Sequence, residues 1–156
     1  IMYLKKGDIA PNFKLINYDN KTFTLLNFKG SKILLWFFPK ANTPGWILEG
    51  IGFRDEFKKY KKKHITIIGV SADDVTKQKK FVEKFNFPYL MFSDVSKNML
   101  KDYKAWGLKK FMGREYEGIH RISYLINEKG IIDTVFDKVK AKSHANDILN
   151  SFENSL

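Results

Sequence analysis

Two near-continuous apolar runs constrain this chain more than any other feature: Ile33 to Phe38 (Ile-Leu-Leu-Trp-Phe-Phe) and Ile65 to Val70 (Ile-Thr-Ile-Ile-Gly-Val). Runs of that length without polar alternation belong to strands covered on both faces, as in the middle of a parallel sheet. Parallel neighbours need a crossover, and the segment between the runs is long enough to supply a helical one. Within it Trp46, Gly50, Phe53, Phe57 and Tyr60 recur at spacings of four, three, four and three, which puts them on one helix face. The expectation is a βαβ unit with both strands central.

The flanking segments extend that unit. Phe13 to Ile16 and Thr22 to Leu26 lie on either side of the turn signal Tyr18-Asp19-Asn20 and read as short strands or a hairpin. After the second central strand, Asp73 or Asp74 caps a helix striped by Phe81, Val82 and Phe85, with Pro88 as its stop. Tyr89 to Phe92 reads as a strand and Val95 to Tyr103 as a helix. Ile122 to Ile126 and Ile131 to Phe136 then form an antiparallel pair across Asn127-Glu128-Lys129-Gly130, whose glycine supplies the left-handed turn residue. Ser143 caps a last helix with Ala145, Ile148, Leu149 and Phe152 inward. The class is α/β: a thioredoxin-like fold, a central mixed β-sheet flanked by helices. No repeat, linker or low-complexity stretch divides the chain, so one domain over residues 2–156 is expected, with Ile1 set aside.

Composition decides which chemistry is open to such a fold. Apolar residues make up 44% of the 156 and fourteen residues are Phe, enough for a core without disulfides. There is no cysteine, so the chain can do no thiol chemistry of its own. Ile1 to Pro11 lacks the continuous apolar stretch of a signal peptide, and Ile33 to Pro39 is too short to span a bilayer. A cytoplasmic protein with no membrane contact is the expectation. The net charge of +11 raises the question of a polyanion partner, but only Arg54, Arg114 and Arg121 offer the planar fork that reads phosphates and bases. The rest is Lys, and its densest cluster, Lys58 to Lys63, is interrupted by Tyr60 as a solvated helix face would be. Nucleic acid is therefore not the expected partner. His64, His120 and His144 lack metal-ligand spacing and read as loop or cap residues, so no metal site is expected.

Chemistry belongs in the segment Phe38-Pro39-Lys40-Ala41-Asn42-Thr43-Pro44-Gly45-Trp46, which joins the carboxyl end of a central strand to a helix N-terminus. Ligands of open α/β sheets bind there, and the helix N-terminus favours an anion or thiolate. This run is similar to the Phe-Tyr-Pro-Lys-x-x-Thr-Pro-Gly-Cys-Thr signature of Q-type peroxiredoxins, the bacterioferritin comigratory protein family. The resemblance extends through Gly7 to Phe13, Gly52 to Asp55, Ile68 to Asp73, Ser93-Asp94, Trp106-Gly107 and Gly118 to Ile126.

The resemblance implies reduction of hydrogen peroxide and organic hydroperoxides, with electrons from thioredoxin or a similar thiol donor. It also implies no metal or organic cofactor, and a monomer or weak dimer. The family's peroxidatic cysteine falls at Trp46, where its thiolate would attack the O–O bond. Thr43 would place the peroxide, Arg121 would stabilise thiolate and transition state, Pro39 would shield the sulfur, and Glu49 would orient polar neighbours. Three positions depart from the pattern: Trp46 replaces the nucleophile, Ile47 the Thr after it, and Ile51 the resolving cysteine of many relatives. The peroxidase reaction is therefore expected to be absent. Trp46 either fills the peroxide pocket or turns the first helical turn outward. Two origins stay open, a natural redox-silent relative, or a variant or misread codon that gives Trp in place of Cys or selenocysteine. A binding module that engages a protein or polyanion through the basic surface or Trp46 is the alternative function.

Overall fold

Strands β3 (Lys32–Phe37) and β4 (Ile65–Ser71) run parallel in the register Lys32↔Ile65 to Phe37↔Val70, and the apolar runs are these strands. The computed structural model describes residues 3–38 and 44–153. With β1 (Lys14–Asn17), β2 (Thr22–Thr24), β5 (Leu90–Ser93), β8 (Ser123–Ile126) and β9 (Ile132–Phe136), they form a seven-stranded sheet in the order β2-β1-β5-β4-β3-β8-β9. The pairs β3–β4 and β4–β5 are parallel, whereas β1–β2, β1–β5, β3–β8 and β8–β9 are antiparallel. The mixed sheet expected from the residues is therefore observed.

The crossover from β3 to β4 is helical but broken in two, α1 (Pro44–Asp55) and α2 (Phe57–Lys62). The break leaves the inward stripe intact: Trp46, Gly50, Phe53 and Tyr60 are buried and Phe57 half-buried. Lys58, Lys59, Lys61 and Lys62 occupy the exposed face of α2 around Tyr60. Helix α3 (Val75–Phe85) is N-capped by Asp74, whose carboxylate accepts from the Lys77 amide. Helix α5 (His144–Glu153) packs on α1, and the Tyr60 hydroxyl of α2 donates to the Ala145 carbonyl at 2.7 Å. Side chains alternate along β3, so Trp36 and Phe38 meet Phe53 and Phe81 of α1 and α3, while Phe37 meets Tyr103 and Tyr124 on the opposite face. Trp36 fits only because its neighbours are small. A Cβ on Gly69 would lie 3.0 Å from the indole Nε1, and one on Gly50 would lie 3.3 Å from the ring.

Three expectations need correction. Pro88 does not end α3: Asn86, left-handed at φ 53°, stops it first, with its amide on the Val82 carbonyl. The helix read over Val95 to Tyr103 shrinks to α4 (Asn98–Asp102), because Lys97 is left-handed at φ 66° and Asp94 holds the preceding turn through Ser96 Oγ and the Leu100 amide. The strand read over Thr22 to Leu26 ends at Thr24, and Leu25–Phe28 is a 3-10 turn closed by Thr24 and Asn27 side chains. A further antiparallel hairpin, β6 (Trp106–Phe111) and β7 (Arg114–Ile119), stands apart from the main sheet and was not anticipated. Its turn has positive φ at both Met112 and Gly113, the geometry that favours two-residue hairpins.

Phe53 touches Trp36, Tyr60, Tyr89 and His144 and is fully buried. Phe53→Ala is expected to cost about 3–5 kcal/mol of unfolding free energy, the range for such truncations, measured by urea denaturation.

Candidate active site

Register places the site. Ser123 of β8 pairs with Trp36 of β3 in antiparallel sense, so Arg121, two residues upstream, lies toward the carboxyl end of β3, where α1 begins. The chain enters from the β6–β7 hairpin, pinned by the His120 amide donating to the Ala105 carbonyl at 2.7 Å. Helix α1 starts on Pro44, a favoured first residue because its missing N–H has no partner there anyway. Pro39 and Thr43 lie outside the described residues.

Trp46 is buried, with only 5% of its surface exposed, and the guanidinium carbon of Arg121 sits 4.4 Å from the centre of its ring. Of the two placements open to Trp46, the inward one is found, and an exposed Trp46 for a partner is excluded. A cation over an indole contributes about 0.5–2 kcal/mol, more as the pair loses water. Arg121 also abuts the backbone of α1: a Cβ on Gly45 would collide with its guanidinium nitrogen and lie 3.3 Å from its central carbon. Gly45 is thus needed for close approach, and neither Glu49 nor Asp55 takes Arg121 as its ion-pair partner among the described residues. Asp55 is paired with Arg54 at 3.2 Å. Beside Trp46 a groove of about 690 Å³ opens between α3 and the β6–β7 hairpin, with Lys97, Trp106, Lys109 and Tyr116 on its walls.

Beneath Trp46, one turn along α1, Glu49 is 1% exposed. His144 of α5 comes within 3.8 Å of Glu49 Oε1 through Nε2, and the same nitrogen is 2.8 Å from Ser123 Oγ. Glu49 Oε2 has no hydrogen-bond partner among the described residues. Burial pushes the Glu49 carboxyl up to about 8, against a smaller downward pull from Arg121. Burial pushes the His144 imidazole down to about 4, opposed by Asp147 and reinforced by Arg121. At neutral pH the contact therefore joins two uncharged groups and is no ion pair. Nor is it a hydrolytic triad, since Ser123 and Glu49 approach the same imidazole nitrogen and all three side chains are sealed from solvent. His144 is thus not the cap or loop residue expected from spacing. Neither His144 nor Ser123 carried any local signal, since the contact joins residues 21 apart. No group of three or more ligating side chains that could hold a metal occurs among the described residues.

The AhpC/TSA family profile matches residues 6–135. The chain belongs to that family. Peroxiredoxin Bcp of Escherichia coli strain K12 is 40% identical over 147 residues, covering 94% of each chain. Among solved structures, a Cys-to-Ser form of Xylella fastidiosa PrxQ superposes with a TM-score of 0.91 at 26% identity, covering 99% of both chains. The bacterioferritin comigratory protein of Xanthomonas campestris does so at 0.85 and 26%, covering 92% of this chain and 91% of that one. The thioredoxin-like peroxiredoxin fold of the AhpC/TSA chain is thereby established.

Two outcomes follow from this geometry. The raised Glu49 value means that the folded AhpC/TSA chain binds a proton the unfolded chain has released between 4.5 and about 8, so this group lowers stability as pH rises through that window. The lowered His144 value acts oppositely between about 4 and 6.5, where the unfolded chain holds the extra proton and stability rises with pH. The two slopes cancel where the windows overlap, and above 6.5 only the loss remains, at most about 1.4 kcal/mol per pH unit. Urea midpoints should fall from pH 6.5 to 8 in the native chain and stay flat in Glu49→Gln. Gly45→Ala should displace Arg121 from the Trp46 ring. The lost cation–π contact and the gain of about 1 kcal/mol in helix propensity nearly offset, so the change is to be read in near-ultraviolet circular dichroism with the melting temperature little moved.

Proposed function

We propose that this chain is a peroxiredoxin scaffold that has lost the peroxidase step. The observation that carries the reading is Trp46: with no cysteine anywhere in the sequence, a buried indole held under Arg121 occupies the head of α1. In the family reaction a cysteine thiolate at this position attacks a peroxide O–O bond and becomes a sulfenic acid, which a thioredoxin-like donor reduces. The Xanthomonas campestris relative bears on alkyl peroxide reduction, which supports peroxides as the substrate class of the scaffold. Indole cannot serve as that nucleophile and be recycled by thiols.

The surroundings retain what such a reaction needs. The N-terminus of α1 is by helix geometry a place that favours an anion, Arg121 supplies positive charge beside it, and Gly45 lets that charge approach the backbone. Pro39 and Thr43 take the shielding and peroxide-placing roles by resemblance, and Glu49 orients polar neighbours from below. Trp46 fills the space a peroxide would use. A single domain over 2–156, a cytoplasmic location and a monomer or weak dimer go with this reading, and no helix among the described residues is long and apolar enough to cross a membrane.

Peroxide consumption with excess dithiol tests it, comparing the native chain, Trp46→Cys and a no-protein control. The native chain should match the control, and Trp46→Cys should turn over peroxide despite a stability loss approaching the roughly 3–5 kcal/mol of a Trp→Ala truncation. Peroxidase activity in the native chain would sink the proposal. A folded but silent Trp46→Cys chain would mean that the pocket itself has changed beyond one residue.

A further inference from the structure

Trp46 and Glu49 are three residues apart on α1, so their side chains are neighbours on one face, with Cβ atoms about 5–6 Å apart. Arg121 serves both. Its guanidinium rests on the Trp46 ring, and its field is also the one that acts on the Glu49 carboxyl. Glu49 leaves one oxygen without a partner among the described residues, and its other oxygen lies 3.8 Å from the His144 imidazole nitrogen. We infer that Arg121 has two seats about one helical turn apart, the Trp46 ring and the Glu49 carboxylate, and that a proton on Glu49 selects between them.

With Glu49 protonated, nothing below attracts the guanidinium and the indole face is its best site. When the Glu49 O–H bond breaks and the proton passes to solvent, a bare carboxylate is left in a sealed site. A buried unpaired charge costs more than an indole face can repay, so the cation moves down to it. The other groups around Glu49 do not substitute for it. On α5, His144 is held neutral and Asp147 has the wrong sign for a carboxylate. From β8, Ser123 is engaged with His144 Nε2. Ahead of β5, the Tyr89 hydroxyl donates to the Gly50 carbonyl and its phenol is pushed upward by burial and by Glu49 itself. Arg54, on α1, is tied to Asp55 and the Phe85 carbonyl. Lys109, on β6, donates to the Ile119 carbonyl.

This makes the head of α1 a two-position device in which alkaline pH uncovers Trp46, a property independent of whether the site ever handles peroxide. Tryptophan emission and acrylamide quenching of the native chain, followed through the Glu49 midpoint at about 8, test it. The expected result is a transition near that midpoint with quenching greater on the alkaline side. It should be absent in Trp46→Phe, which identifies the reporting ring, and absent in Glu49→Gln. Persistence of the transition in Glu49→Gln, or its absence in the folded native chain, would overturn the inference. Should Glu49→Gln fail to fold, the Arg121 side-chain Nε–H resonance of the native chain decides. A shift that titrates together with the Glu49 carboxyl carbon supports the two seats, and a stationary resonance refutes them.

Discussion

The pairing of β3 with neighbours on both edges, under cover on both faces, is the constraint on which the rest of the molecule depends. Parallel register with β4 forces a crossover, and that crossover is α1 and α2. Antiparallel register with β8 brings the Trp36–Ser123 pair into line, and with it Arg121 to the carboxyl end of β3 and Ser123 beneath α5. The helix terminus, the cation and the buried acid therefore meet as a consequence of one strand's hydrogen bonds rather than of any contact among themselves. Gly69 and Gly50 serve the same strand by making room for the Trp36 indole.

Around that frame the site is notable for how little charge it holds. A Gln in place of Glu49 would satisfy the burial more simply, and a carboxyl pushed up to about 8 is tolerated because it stays protonated at neutral pH. His144, pushed down to about 4, is likewise neutral. Arg121 remains as the permanent charge of this cluster, and an aromatic face is one of the few uncharged surfaces that accept a cation. Trp46 thus does more than fill a volume. It gives the guanidinium somewhere to rest when neither a thiolate nor a carboxylate is there to receive it.

Much of the fold was legible because it rests on periodicity. The central strands, the inward stripe from Trp46 to Tyr60, the cap at Asp74 and the hairpin turn at Gly130 are local signals, and each is found where spacing put it. The errors lie where backbone conformation overrode the pattern. Left-handed Asn86 and Lys97 moved helix ends that Pro88 and Val95 had suggested, and the β6–β7 hairpin alternates too weakly to stand out from its charged residues. Trp46, Glu49 and Arg121 were named from the motif that surrounds them, and the structure brings Trp46 and Arg121 into contact. His144 and Ser123 were not, since nothing adjacent in the chain marks them.

The sequence by itself determined that these 156 residues carry no thiol, and which class of fold they adopt. Absence of cysteine is a property of composition, and strand and helix periods follow from backbone geometry, so neither needs the third dimension. Only the tertiary structure decided that Trp46 points inward, that Arg121 lies on its ring, and that Glu49 and His144 face each other uncharged. Those facts depend on which distant segments are brought within a few ångströms in a place without water, where burial rather than residue type sets the protonation state.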